Sequence, residues 1–214
     1  MPRSNRIWVI DDDRSIRWVL EKALQKADIQ VTSFSNATGV MEALEREQPD
    51  AIVSDIRMPG TDGLELFREL QRRQVAYPVV FITGHGDIPL AVSAIKQGAW
   101  DFLTKPFREG ELLEKVNGAI AHYRSARKQL LQRQKVRKRF ESCTPRERDV
   151  MKLLADGLPN KGIAEALGIS PRTVEIHRAH VMEKMAADSL PTLVRMVGML
   201  DSGLAAKSQP TVSD

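Results

Sequence analysis

Cysteine is nearly absent from this 214-residue chain: Cys143 stands alone. One thiol forms no intrachain disulfide and has no companion cysteines for a zinc site, which fits a reducing compartment. No apolar run approaches the ~20 residues that a membrane-spanning helix needs, and Met1 to Arg6 lack the apolar core of a signal peptide. No GxxxxGK[ST] loop occurs, so a P-loop ATPase is excluded. A cytoplasmic protein with no membrane partner is expected.

What the chain does have is unevenly distributed. Its length is comfortable for two domains, each able to bury a core of its own. The formal charge is +4, and the surplus sits mid-chain: residues 108 to 143 hold 10 basic and 4 acidic side chains, whereas 144 to 214 hold 9 of each. Such a basic stretch is either a solvated helix face or a phosphate-seeking arm.

In the first half, short apolar runs alternate with segments of helical period. Ile7 to Ile10, Gln30 to Phe34, Ala51 to Ser54, Val79 to Thr83 and Trp100 to Leu103 read as strands. Between them lie helical stripes: Ile16, Val19, Leu20, Ala23, Leu24 and Ala27; Val40, Ala43 and Leu44; Leu64, Leu66, Phe67 and Leu70; Ala91, Val92 and Ile95. Gly98 reads as the stop of the fourth helix. This order implies a doubly wound α/β domain with a five-stranded parallel sheet. Trp8, Trp18 and Trp100 are expected to pack, and Gly84-His85-Gly86 to form a flexible loop.

In an open parallel sheet the functional crevice lies beyond the carboxyl ends of the strands. Asp11, Asp12 and Asp13 follow the first strand, Asp55 the third and Lys105 the fifth, while Thr83 ends the fourth. Singly, each has an ordinary role as a turn, cap or core residue. Together they make a pocket for a phosphoryl group. Clustered carboxylates favour a cation between them, and all-oxygen ligation suits Mg2+ or Mn2+. Asp55 can then act as nucleophile, with Thr83 donating a hydrogen bond and Lys105 a positive charge.

Asp11-Asp12, Asp55-Ile56-Arg57-Met58-Pro59-Gly60, Thr83 and Lys105-Pro106-Phe107 resemble the active-site signatures of bacterial response-regulator receiver domains, across about residues 6 to 123. The resemblance implies phosphorylation of Asp55 by a sensor histidine kinase. It also implies metal ligation by Asp12, Asp55 and the backbone carbonyl of Arg57, with Asp11 nearby. Aligning Ile16 with the helix-facing apolar position leaves Asp13 out of the ligand set. Phe102 stands where the family places the aromatic that changes rotamer as the threonine, here Thr83, moves toward the phosphate, and Lys105-Pro106 resembles the family's cis-proline turn.

From Glu109 the apolar spacing continues through Leu112, Leu113, Val116, Ile120 and Tyr123, then thins. A seam of Leu113, Val116, Ile120, Tyr123, Arg127, Leu130 and Gln134 fits a coiled coil, yet two of its positions are polar; a hinged linker fits as well. Then Thr144-Pro145-Arg146-Glu147 signals a helix start with a capping box. Val150, Leu153 and Leu154 are its apolar face and Gly157 its stop. Asn160 opens a second helix with Ile163, Ala164 and Leu167 inward, Gly168-Ile169-Ser170 turns, and Ser170-Pro171 opens a third whose Val174, Val181 and Met185 share one face. The other face presents Arg172, Ile176, Ala179 and Glu183, flanked by Thr173, Glu175 and His180. This is a helix-turn-helix plan.

Gly157-Leu158-Pro159-Asn160-Lys161, Ser170 through Arg178 and Ser189-Leu190-Pro191 resemble the LuxR-type DNA-binding domain, particularly of the FixJ subgroup, over about residues 142 to 200. The resemblance implies phosphate contacts by Lys161, Arg172, Thr173, His177, Arg178 and Lys184, and base readout by Glu175, Ile176 and Ala179. Ile16 to Glu21 resembles instead the receiver of NtrC-type regulators, whose central ATPase has no room here. The expected organisation is a receiver at 1–123, a basic helical linker at 124–141, the helix-turn-helix domain at 142–205 and a disordered tail at 206–214. The expected protein is a two-component response regulator, not an enzyme beyond slow self-dephosphorylation. Its expected partners are a histidine kinase, double-stranded DNA, a second copy on phosphorylation and RNA polymerase. Two other classes use the same residues: a phosphotransfer enzyme passing through an aspartyl phosphate, and a regulator whose neutral helical domain binds protein.

Overall fold

The computed structural model describes residues 4–75 and 77–205; the tail expected at 206–214 lies outside the described residues. The chain forms two compact units, Met1–Arg127 and Lys128–Asp214.

The first unit alternates strand and helix: β1 (Arg6–Ile10), α1 (Arg14–Lys26), β2 (Gln30–Phe34), α2 (Thr38–Arg46), β3 (Ala51–Asp55), α3 (Gly63–Arg72), β4 (Val79–Thr83), α4 (Ile88–Lys96), β5 (Asp101–Thr104) and the start of α5 (Glu109–Glu141). All strand pairs are parallel, in the order β2-β1-β3-β4-β5. Alternation along each strand feeds two cores. Ile7, Val9, Val53, Val80 and Leu103 pack with Leu20 and Leu24 of α1 and Leu112, Val116 and Ile120 of α5. Trp8, Ile10, Ile52 and Phe81 pack with Val40 of α2, Leu66, Phe67 and Leu70 of α3, and Ala91 and Ala94 of α4. Helices therefore cover both faces, and the central strands are apolar without a solvent side. Burying each such Ile, Leu or Val contributes about 2 kcal/mol.

The structure corrects several expectations. Trp18 is 59% exposed and Val19 44%, so neither packs; the α1 stripe narrows to Leu20, Ala23 and Leu24, with Ile16 at its margin. The reason is α5, which shares that sheet face with α1 and leaves room for only a narrow apolar strip. On α4, Val92 is exposed and Ala94 takes the inward place assigned to it. Residues His85–Asp87 form a 3-10 turn rather than a loop, anchored by an ion pair from Arg57 Nε to Asp87 Oδ1 at 2.9 Å. Gly98 follows the C-cap of α4 with φ +100°, the left-handed geometry that glycine tolerates.

Residues 124–141 are helical throughout as the second half of α5. Of the seam residues there, Arg127, Leu130 and Gln134 are all exposed, and Leu131 beside them is exposed too. Val136 belongs to the core of the second unit.

The second unit contains α6 (Pro145–Ala155), α7 (Asn160–Leu167), α8 (Pro171–Met185) and α9 (Leu190–Ala205). Thr144 and Glu147 form the reciprocal capping box of α6, and Ser170 caps α8 by accepting from the Thr173 N–H. Gly168 at φ +65° ends α7 and sets the turn to α8. The core gathers Val150, Met151 and Leu154, Ile163 and Ala164, Val174, Val181 and Met185, and Leu193. Glu147, the glutamate of the capping box, is also buried.

Candidate functional site

The crevice forms where β1 and β3, neighbours in the sheet, send their connections to opposite faces. Asp11, just past β1, is fully buried, and Asp12 after it is exposed. Asp55 closes β3 with 8% exposure. The three offer carboxylate oxygens within 4.8 Å of one another. Lys105 reaches back from β5: its Nζ donates to Asp55 Oδ2 at 2.5 Å and to Asp11 Oδ2 at 3.0 Å. The turn that brings it there has a cis Lys105-Pro106 bond. Thr83, fully buried at the end of β4, donates its hydroxyl to the Gly84 carbonyl at 3.0 Å. Phe102 is half-buried on β5, paired in register with Phe81.

Asp13 caps α1 with its side chain, accepting from the Ser15 N–H at 2.7 Å, while its own N–H donates to Asp11 Oδ1 at 2.8 Å. Arg57 donates its N–H to Asp55 Oδ1 at 3.2 Å. Three carboxylates thus face one ammonium. Burial pushes the Asp11 carboxyl above its usual range, although hydrogen bonding to Lys105 opposes this. Burial alone would lower the Lys105 ammonium, but hydrogen bonds to Asp55 and Asp11 outweigh it and raise it, so the lysine stays charged. The remaining negative charge and the all-oxygen donor set fit a hard divalent cation such as Mg2+.

Two residues that shape the pocket escaped the sequence reading. A Cβ on Gly63 would come within 2.0 Å of the Asp55 carbonyl oxygen, so the first turn of α3 closes on the Asp55 backbone only because this residue is glycine. Its only sequence signal is the Asp62-Gly63 pair. Arg17 Nη1 donates to the carbonyls of Asp11 at 2.7 Å and Asp12 at 3.0 Å, pinning the acidic loop from α1.

In the second unit, the face of α8 away from the core carries Arg172, Glu175, Ile176 (46% exposed) and Ala179, all exposed, and Lys161 is exposed on α7. Arg172 pairs with Glu175 at 3.2 Å. Thr173 is half-buried, its hydroxyl against Ser170 Oγ. Arg178 donates to Asn160 Oδ1 at 3.3 Å, joining α8 to α7. Lys184 is committed inward, at 2.9 and 2.7 Å from the two oxygens of buried Glu147. His177 Nδ1 is buried without a hydrogen-bond partner.

The receiver-domain model of response regulators matches residues 7–117, and the luxR family model of bacterial regulatory proteins matches residues 141–197. FixJ of Bradyrhizobium diazoefficiens is 45% identical over 94% of this chain and all of its own length. The chain belongs to the FixJ-type response regulators. FixJ of Azorhizobium caulinodans is 44% identical over 99% of this chain and all of its own. The solved response regulator StyR, 38% identical, covers 92% of this chain and 99% of its own with a TM-score of 0.80. The beryllofluoride-activated receiver of NtrC is 48% identical over 56% of this chain and 98% of its own, TM-score 0.51, in keeping with the NtrC-like stretch of α1. This FixJ-type regulator thus joins a receiver to a LuxR-type DNA-binding domain and controls transcription through phosphorylation. Among the described residues no helix is long and apolar enough to cross a membrane.

Proposed function

We propose that Asp55 accepts the phosphoryl group, and that its transfer pairs the receivers and so places two α8 helices on DNA. The observation that carries this is the clamp of Lys105 on Asp55 and Asp11 at the carboxyl end of the sheet, beside Asp12. An Asp55 oxygen attacks phosphorus, the P–N bond of the kinase's phosphohistidine breaks, and the leaving imidazole keeps the electron pair and takes a proton from solvent. Mg2+ or Mn2+ held by Asp12, Asp55 and the Arg57 carbonyl, with Asp11 beside it, supplies charge neutralisation for the phosphoryl oxygens. Lys105 turns from its carboxylates to one phosphoryl oxygen, and the Thr83 hydroxyl leaves the Gly84 carbonyl for another. Exposed Trp18 and Val19, on α1 just past the acidic loop, offer apolar surface to the kinase. The acylphosphate is returned to the free carboxylate by slow hydrolysis, the only turnover this reading assigns.

The change spreads through Thr83 and Phe102 to the face of α4, β5 and α5. There Ile88 and Val92 are exposed, and Lys115 of α5 pairs with Asp101 of β5 at 2.7 Å. A second copy covers this face, and pairing raises the effective concentration of the second DNA-binding domain. On DNA, Glu175, Ile176 and Ala179 read bases in the major groove while Lys161, Arg172, Thr173, His177 and Arg178 hold phosphates. Lys184, engaged by Glu147, contributes by positioning α8 rather than by direct phosphate contact.

The test is intact mass after incubation with a small acyl phosphate and Mg2+, followed by sedimentation and selection of bound sites from random DNA. One added phosphate, lost in Asp55→Asn and with excess chelator, a shift to dimer and enrichment of a two-fold-related site are expected. Labelling that survives Asp55→Asn overturns the acceptor. Enrichment of no sequence removes DNA as the output.

A further inference from the structure

The helical unit contains a second cluster of metal-competent side chains, which the phosphoryl chemistry does not use. Glu147 at the start of α6 and His177 and His180 on α8 each bring one ligand atom to within 4.8 Å of the others. His180 Nδ1 lies 3.6 Å from Glu147 Oε1. His177 and His180 are three residues apart on one helix, so their rings project from neighbouring positions toward α6. Glu147 is buried and its orientation is fixed: its Oε2 accepts the Thr144 N–H at 2.8 Å as half of the capping box. The buried Nδ1 of His177 has no hydrogen-bond partner, so turning or re-tautomerising this ring sacrifices no hydrogen bond at that atom.

We infer that Glu147, His177 and His180 form a binding site for a divalent transition ion of the Zn2+ class, bridging the N-terminus of α6 to the DNA-facing helix. Two imidazole nitrogens with one carboxylate oxygen are a borderline-soft donor set. It favours Zn2+ over Mg2+ or Ca2+, which require oxygen. Three protein ligands with a fourth, open position is a common zinc arrangement. Donors around a tetrahedral zinc stand about 3.3 Å apart, so a set already within 4.8 Å has little distance left to close. The group that now shares Glu147 is Lys184, 2.7 Å from Oε2 and 35% exposed at its side chain. Its ammonium occupies the carboxylate as a competing cation, and its exposure lets it swing into solvent when the metal enters. Cys143, the one thiol, is committed elsewhere, 3.6 Å from the Arg139 carbonyl. The site is independent of Asp55 and of the proposed phosphorylation.

The probe is Zn2+, titrated calorimetrically into the full chain with excess Mg2+ present to fill the acidic pocket. Wild type, Asp12→Asn, His180→Asn, His177→Gln and Lys184→Met are compared. The proposal expects one Zn2+ taken up by the wild type and retained by Asp12→Asn. Affinity should fall at least tenfold in His180→Asn, a change at a half-exposed position that leaves the core intact, and likewise in His177→Gln. It should rise several-fold in Lys184→Met, where the competing ammonium is gone. Zn2+ uptake abolished by Asp12→Asn, undiminished in His180→Asn, or absent from the wild type overturns the site.

Discussion

A buried carboxylate beside a lysine occurs in both units, with opposite consequences. In the receiver, burial dominates and pushes the Asp11 carboxyl up against the opposing hydrogen bond from Lys105, an ammonium that Asp11 shares with Asp55. In the helical unit the Lys184 hydrogen bond dominates and holds the Glu147 carboxyl below its usual range, with the Thr144 N–H adding to it. One lysine to one acid gives a strut. One lysine to three acids gives a site with negative charge left over, suited to the divalent cation and phosphoryl group of the proposed function. Residue type therefore distinguishes the two regions less than the ratio of charges and the hydrogen bonds that saturate each carboxylate.

The largest expected effect breaks the unbalanced side. Lys105→Met should slow acyl-phosphate labelling of the receiver by about 100-fold, in the range of losing one charge-stabilising donor. It should also tighten Mg2+ binding, because the cation that repelled the metal is gone. Labelling kinetics by intact mass and a Mg2+ titration check both; unchanged labelling would show that Lys105 is a strut like Lys184. Next in size, Gly63→Ala forces a Cβ against the Asp55 carbonyl oxygen. It should cost about 3 kcal/mol in receiver stability and slow labelling together with it, measured by urea unfolding.

The difference between these regions was only partly legible in the sequence. The order of strands and helices placed the carboxylates, Thr83 and Lys105 at one end of the sheet, since the crevice of an open parallel sheet lies beyond the carboxyl ends of its strands. Val174, Val181 and Met185, each fully buried, were readable from helical spacing. Trp18 was not, because a helix stripe shows which residues are apolar but not how wide a strip the neighbouring helix covers. Gly63 was hidden because a close approach between backbones leaves no pattern beyond a glycine. Glu147 was legible as a cap but not as a buried ion-pair partner, because Lys184 lies 37 residues away and only the packing of α8 on α6 joins them.

A middle-sized prediction sets the two carboxylates directly against each other. Glu147→Ala should destabilise the helical unit by about 2 kcal/mol, combining a lost cap with a broken, partly exposed ion pair. Asp11→Asn should instead stabilise the receiver, by about 1 kcal/mol, since it removes a buried charge that the fold holds at a cost, while labelling falls. Urea unfolding with labelling alongside measures both. Destabilisation by Asp11→Asn would mean that Lys105 already balances the pocket.

The smallest effect is in pH, where the two signs can be worked through without mutation. Glu147 titrates lower in the folded chain than its ordinary value of 4.5, so its contribution to stability is fully present above that value. It disappears as pH falls through the folded value. Asp11 titrates above its ordinary 3.8 in the folded chain, so the folded state takes up its proton more readily than the unfolded one. Its ionised form therefore costs stability at neutral pH, and acidification relieves that cost as pH falls through the raised value. On acidification from 4.5 through the lower folded value of Glu147, in the absence of divalent cations, amides of α6 and α8 should lose hydrogen-exchange protection, after correction for intrinsic rates, before amides of β1 and β3. Saturating Mg2+ should shrink the receiver's gain, because metal competes with the proton for the same oxygens. Simultaneous loss of protection in both units, insensitive to Mg2+, would mean that the Asp11 and Glu147 carboxylates are equally well satisfied and that the asymmetry between the two regions does not exist.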